Sequence, residues 1–177
     1  FNEADIISKL KVSRTPVREA VLKLASEGYL TIIPRKGTII SNISFSDVSQ
    51  VYEYRLMLEP EICSKAAPIM DKNLCIKWKD YFNNLLLNKK SKPPVNDSDD
   101  DIDKLFHLSI SQSLNNNLIN KDIAHLMDLS QRIRFLSNKQ NEQRYIASIN
   151  EHISILDAII KGDSNLAREM MKNHLEN

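Results

Sequence analysis

Three imidazoles and one carboxylate carry the sharpest chemical signal in the chain. Asp103 and His107 stand four residues apart in a predicted helix, so both project from one face. His152 falls in a later predicted helix and His174 in the next. Three histidines and an aspartate from three helices can converge inside a bundle. Such a donor set suits a divalent Zn, Ni, Mn or Fe ion. Single helical histidines usually serve packing or the surface, and spacing alone does not make these four meet. His125 stands outside the set and reads as structural or exposed.

A second constellation lies near the start of the chain. Ser13, Arg14, Thr15 and Arg18 cluster where a helix is expected to begin, with both arginines on one side. An arginine there can bond guanine O6 and N7 together or clamp a phosphate. The hydroxyls and free N–H groups of a helix start suit phosphate contacts. Arg35 and Lys36 occupy a predicted turn that would carry them to the backbone or minor groove.

The elements that must hold these residues follow from periodicity. Residues 3–10 predict a short helix with Asn2 as its cap and Ile6, Ile7 and Leu10 on one face. Thr15-Pro16 predicts the start of a second helix, capped by Thr15, with Val17, Ala20, Val21 and Leu24 as its buried stripe and Gly28 as its stop. Two β-branched runs around Pro34-Arg35-Lys36-Gly37 predict a hairpin with a basic tip. Helix, turn, helix and basic hairpin make a winged helix-turn-helix. Beyond it, helices are expected from Val48 to about residue 67, with a kink or break at Pro60, and then over about 71–88, 102–114, 117–137, 141–161 and 164–176. The polar, Pro-Pro-containing stretch between 88 and 101 predicts a loop. The expected fold is mostly α: a winged helix-turn-helix over 1–43 and an all-helical bundle of about six helices over 44–177.

Composition fits this division. The 177 residues are 42% hydrophobic and 27% charged, with only three glycines and six prolines, which favours long helices. Residues 1–45 carry a net charge of +3 and the remainder −2, as expected of a DNA reader joined to a sensor. No apolar run approaches the ~20 residues that cross a bilayer, and Phe1-Asn2-Glu3-Ala4-Asp5 has no signal-peptide character. A cytoplasmic protein is expected. Cys63 and Cys75 lie in apolar helical patterns and read as buried free thiols.

The run Val12-Ser13-Arg14-Thr15-Pro16-Val17-Arg18-Glu19-Ala20-Val21, followed by Leu24, Glu27-Gly28 and Arg35-Lys36-Gly37, resembles the GntR family of bacterial transcription regulators. The resemblance implies that Ser13, Arg14, Thr15 and Arg18 contact DNA. The chain departs from the family at Ala4, where members often carry arginine, and at Lys11, where glycine is usual. It also lacks the long helix with which the family's domain opens, so the reader is expected to be truncated.

Further along, Val51-Tyr52-Glu53-Tyr54-Arg55 with Leu58-Glu59-Pro60, Asp103-Lys104-Leu105-Phe106-His107, Glu151-His152, and Gly162-Asp163 through His174-Leu175 resemble the FCD effector domain of the FadR subfamily. That resemblance implies that Asp103, His107, His152 and His174 hold a divalent metal at the floor of a pocket for a small carboxylate. A carboxylate needs a charge partner, and the resemblance places Arg55 there. Arg132 and Arg134 are further candidates, since a planar guanidinium pairs with a carboxylate through two hydrogen bonds.

The expected function is a ligand-responsive, homodimeric regulator on a palindromic double-stranded DNA operator, with no membrane partner and no catalysis. One alternative keeps the reader, empties the metal site and admits an apolar acyl ligand. A second is a metalloenzyme using three histidines and an aspartate to activate water, although no general base or nucleophile stands beside the motif. A bare helical scaffold would leave Arg14, Arg18 and the basic tip without a purpose.

Overall fold

The computed structural model describes residues 2–87, 93–94, 101–137 and 142–177, and most of the predicted loop between 88 and 101 lies outside them. The described chain divides into two compact units, 1–44 and 45–177.

In the first unit, α1 (Glu3–Leu10) and α2 (Arg14–Ser26) precede a hairpin of β1 (Leu30–Ile33) and β2 (Gly37–Ile40). Asn2 caps α1 by accepting from Ala4 N. The turn between the helices passes through Lys11 at φ 53°, a left-handed conformation that glycine adopts more easily. The lysine side chain stands in solvent there.

Two expectations need correction in α2. The helix opens at Arg14 with Ser13 in the cap position, so Thr15 is not the cap and Pro16 is the third helical residue. Proline is tolerated there because first-turn N–H groups have no helical partner. The buried stripe is also narrower than expected. Val17 and Val21 are buried and Ala25 half-buried, while Ala20 and Leu24 are exposed. Among the described elements α1 and β1 pack on this helix, and they cover one i, i+4, i+8 row. The strands are antiparallel, with Leu30 opposite Ile40 and Ile33 opposite Gly37. Val17, Val21 and Leu30 form the small core.

The second unit holds α3 (Phe45–Ala66), α4 (Lys72–Leu86), α5 (Ile102–Gln112), α6 (Asn117–Ser137), α7 (Glu142–Lys161) and α8 (Ser164–Glu176). Asp71, Asp101 and Asp163 cap α4, α5 and α8, each accepting from a backbone N–H two residues on. Of the kink or break expected at Pro60, the break does not occur: α3 continues through it. Pro60, Ile62 and Cys63 are buried together, and that packing outweighs one lost backbone hydrogen bond.

α3 packs on α5, α6, α7 and α8, and α4 packs on α7. The core is aromatic where it approaches the histidines. Trp78 and Phe82 stack with centroids 5.5 Å apart, and Phe106 meets Phe82 edge-on at 5.3 Å. Lys72 Nζ donates to the carbonyls of Ala67 (2.6 Å) and Ile159, tying the ends of α3 and α7 together. Cys63 and Cys75 are free and buried. No helix among the described residues is long and apolar enough to cross a membrane.

Candidate metal centre

Asp103 and His107 project from successive turns of α5, His152 from α7 and His174 from α8. One donor atom from each lies within 4.8 Å of all the others. The imidazoles turn Nε2 inward. His152 Nε2 is 3.3 Å from Asp103 Oδ1 and 3.3 Å from His174 Nε2, and His107 Nε2 is 3.6 Å from Asp103 Oδ1. All three histidines are buried. The core holds their rings: His152 packs on Phe106 and Phe82 at 4.5 and 5.1 Å, and His107 on His174 at 5.4 Å.

Two of the three outward nitrogens meet carboxylates. His107 Nδ1 is hydrogen-bonded to Glu59 Oε2, and Arg55 Nε donates to Glu59 Oε1. His174 Nδ1 is 2.7 Å from Glu151 Oε2, and Arg144 grips Glu151 with two bonds of 2.9 and 3.0 Å. Arg134 donates to Asp103 Oδ2 at 2.9 Å and also to Asp101.

These contacts set the charges. Burial pushes the Glu59 carboxyl up, but His107 and Arg55 overrule it and hold it at about 2. Burial likewise opposes ionisation of Asp103, yet His107 and His152 keep it well below the usual carboxylate range. Burial pulls His107 down, while Glu59 and Asp103 lift it to about 9. Burial dominates at His152, lowered to about 4, and also lowers His174. Glu59 and Asp103 together therefore favour a positive charge at His107.

The residues fit a divalent cation. Inward Nε2 atoms and a carboxylate oxygen share one small volume, the donors suit a borderline metal, and His107 Nε2 is buried without a hydrogen-bond partner among the described residues.

Above the histidines lies a cavity of about 1130 Å³, whose lining includes Arg55, Arg134, Arg144, Tyr52 and Tyr145 as well as Asp103, His152 and His174. Arg55 is 2% exposed. Its Nε serves Glu59, its Nη1 donates to Ser130 Oγ at 3.2 Å, and its Nη2 has no partner among the described residues. Of the expected effector residues, Arg55 and Arg134 reach this cavity. Arg132 does not line it, because two helical steps from Arg134 turn the side chain to nearly the opposite side of α6. Glu59, Glu151 and Arg144 had no expected role. A signal existed for them: Glu59 sits one helical turn after Arg55, and Glu151 precedes His152 two turns after Arg144. His125 is exposed.

In the first unit, Ser13, Arg14, Thr15 and Arg18 are exposed at the opening of α2, and Arg35 and Lys36 are exposed at the hairpin tip. Arg35 takes a positive φ of 62° to make that turn.

Comparison with known proteins agrees with both units. Residues 50–177 match the family model described as FCD domain, and residues 2–40 match that of bacterial regulatory proteins, gntR family. The HTH-type transcriptional repressor RspR of Escherichia coli is 25% identical over 178 residues, covering 99% of this chain and 76% of the relative. The Uxu operon regulator of Haemophilus influenzae is 29% identical over 195 residues, covering 99% and 70%. Among solved structures, a GntR regulator described as putative from Rhodococcus sp. RHA1 aligns with TM-score 0.76 at 20% identity, covering 99% of this chain and 83% of that one. E. coli McbR/YncC aligns with TM-score 0.71 at 18% identity, covering 98% and 82%. At these identities the structural likeness speaks for the fold.

Proposed function

The chain belongs to the GntR family of bacterial regulatory proteins and is a DNA-binding transcription regulator with an FCD domain rather than an enzyme, and on that premise we propose that its helical unit senses a small carboxylate with the help of a divalent metal. Asp103, His107, His152 and His174 are the proposed ligands, for Zn, Ni, Mn or Fe. The bound ion would supply a fixed positive charge and an open coordination position for an effector carboxylate. The observation that carries this reading is the meeting of four donor atoms within 4.8 Å of one another, with Asp103, His152 and His174 lining a cavity that also bears arginines. Arg55 suits the effector best, since its Nη2 lies buried with no hydrogen-bond partner among the described residues. Arg134 and Arg144 add positive charge to the same wall, although their carboxylate partners offset part of it.

In the reader, Arg14 and Arg18 are proposed to address the major groove from the start of α2. Ser13 and Thr15 address phosphates, and Arg35 and Lys36 the backbone beside the groove. The regulator is proposed to act in the cytoplasm as a homodimer on two half-sites about one helical turn apart. Effector must bind one arrangement of the helical unit better than another for the signal to pass.

Two measurements test this. Metal analysis of the purified protein is expected to find about one equivalent per chain, and less than about half would favour an empty site taking an apolar acyl ligand. A gel-shift titration on the protein's own promoter is expected to show sequence-selective, salt-sensitive binding that responds to carboxylates. Binding without selectivity would overturn the DNA assignment.

A further inference from the structure

Two of the three inward-facing histidines are backed in the same way by unrelated pieces of chain. Behind His107, Glu59 accepts from Nδ1 on one oxygen and from Arg55 Nε on the other. Behind His174, Glu151 accepts from Nδ1 at 2.7 Å while Arg144 donates to both of its oxygens. The first arm is an i, i+4 pair on α3 and the second an i, i+7 pair on α7, so no single local motif produces both. His152 lacks such an arm: its Nδ1 has no hydrogen-bond partner among the described residues, and aromatic rings hold it instead.

A carboxylate at Nδ1 retains the proton on that nitrogen, aims the Nε2 lone pair inward, and makes it a stronger donor. The arginine holds the carboxylate in register. The Arg55–Glu59 arm is almost closed to water, each side chain being 3% exposed, whereas the Arg144–Glu151 arm is partly open at 38% and 21%.

Building on the metal reading above, we propose that Glu59 and Glu151 are positioning residues for the metal: each orients a ligating histidine, and each is locked by an arginine of the cavity wall. Two carboxylates that never touch the ion then set its affinity.

The test compares Glu59→Gln and Glu151→Gln with the unaltered chain, and with Glu61→Gln as a control on an exposed α3 carboxylate that pairs with Arg168. Glutamine preserves shape and can still accept from Nδ1–H, but it removes the charge. The full chain is titrated with Zn2+ against a chromophoric chelator and with Co2+ by visible absorption. Glu59→Gln and Glu151→Gln are each expected to weaken Zn2+ binding about 10- to 100-fold and to alter the Co2+ spectrum, while Glu61→Gln changes neither. A merely structural role would instead lower the thermal midpoint of the metal-free protein and leave the affinity of the folded protein alone.

Zn2+ affinities within about twofold of the unaltered chain, with unchanged Co2+ spectra, would overturn the proposal while leaving the metal reading intact. If Glu59→Gln does not fold, the part-exposed Glu151→Gln decides alone by the same criterion. An unaltered chain that takes up no Zn2+ or Co2+ would overturn both.

Discussion

In residues 1–44 the side chains proposed to touch DNA lie within one helix start and one hairpin tip, all of them exposed. In residues 45–177 the four proposed ligands come from three helices between positions 103 and 174, and three of the four are buried. The supporting cores differ in the same sense. The first unit buries Val17, Val21 and Leu30, whereas the second buries 23 hydrophobic residues among those described. A basic surface needs only that its helix and turn form, because phosphates and base edges come to it from outside. A metal centre whose donors come from three helices needs those helices held in register, which a large, close-packed core supports.

The largest effect that tests this contrast is removal of one ligand. His152→Ala is expected to abolish stoichiometric metal binding while the second unit stays folded, as read by metal analysis beside circular dichroism. Full retention of metal would mean that the four donors do not act together.

Next come the cores. Phe82→Ala is expected to cost about 3–5 kcal/mol in the second unit, and Val21→Ala roughly 2 kcal/mol in the first. The smaller loss removes a larger share of its unit's core, so thermal unfolding followed by proteolysis should show the first unit opening early in Val21→Ala. If both variants shifted one shared transition equally, the contrast between the units would fail.

A smaller effect is expected at the DNA surface. Arg14→Ala should weaken operator binding by about 1–3 kcal/mol and relax selectivity, whereas Lys36→Ala should weaken all sequences alike and lower the salt slope by about one. Equal behaviour of the two variants in salt-dependent titrations would remove the distinction between base and phosphate contacts.

The most gradual effect is with pH. The proton on His107, held up to about 9 by Glu59 and Asp103 against the pull of burial, competes with a metal for Nε2. Metal affinity should therefore rise with pH through neutrality, by at most about tenfold per unit, and level off above about 9. The guanidinium group is protonated throughout that range, so arginine contacts to DNA should not follow the same curve. Zn2+ titrations that are flat between about pH 6 and about pH 9 would contradict the charge arrangement around His107.

Much of this was legible in the residues themselves. Helical periodicity, the Asn2 cap and the turn chemistry at Gly28 and Gly37 placed most elements to within a few residues, because these signals act over one or two turns of chain. The grouping of Arg14, Arg18, Arg35 and Lys36 into two basic points needed no more than that. Where prediction slipped, packing intervened: Leu24 turned outward for want of a covering element, and α3 ran through Pro60 because its neighbours are buried.

What the sequence by itself determined is the order and type of the elements, and the side chains available for chemistry. Only the tertiary structure decided that Asp103, His107, His152 and His174 share one volume, that Glu59 and Glu151 stand behind two of them, and that Arg134 but not Arg132 reaches the cavity. The reason is one of range. Helix geometry fixes which residues share a face, but which face meets which depends on how the six helices of the second unit bury their apolar sides at once.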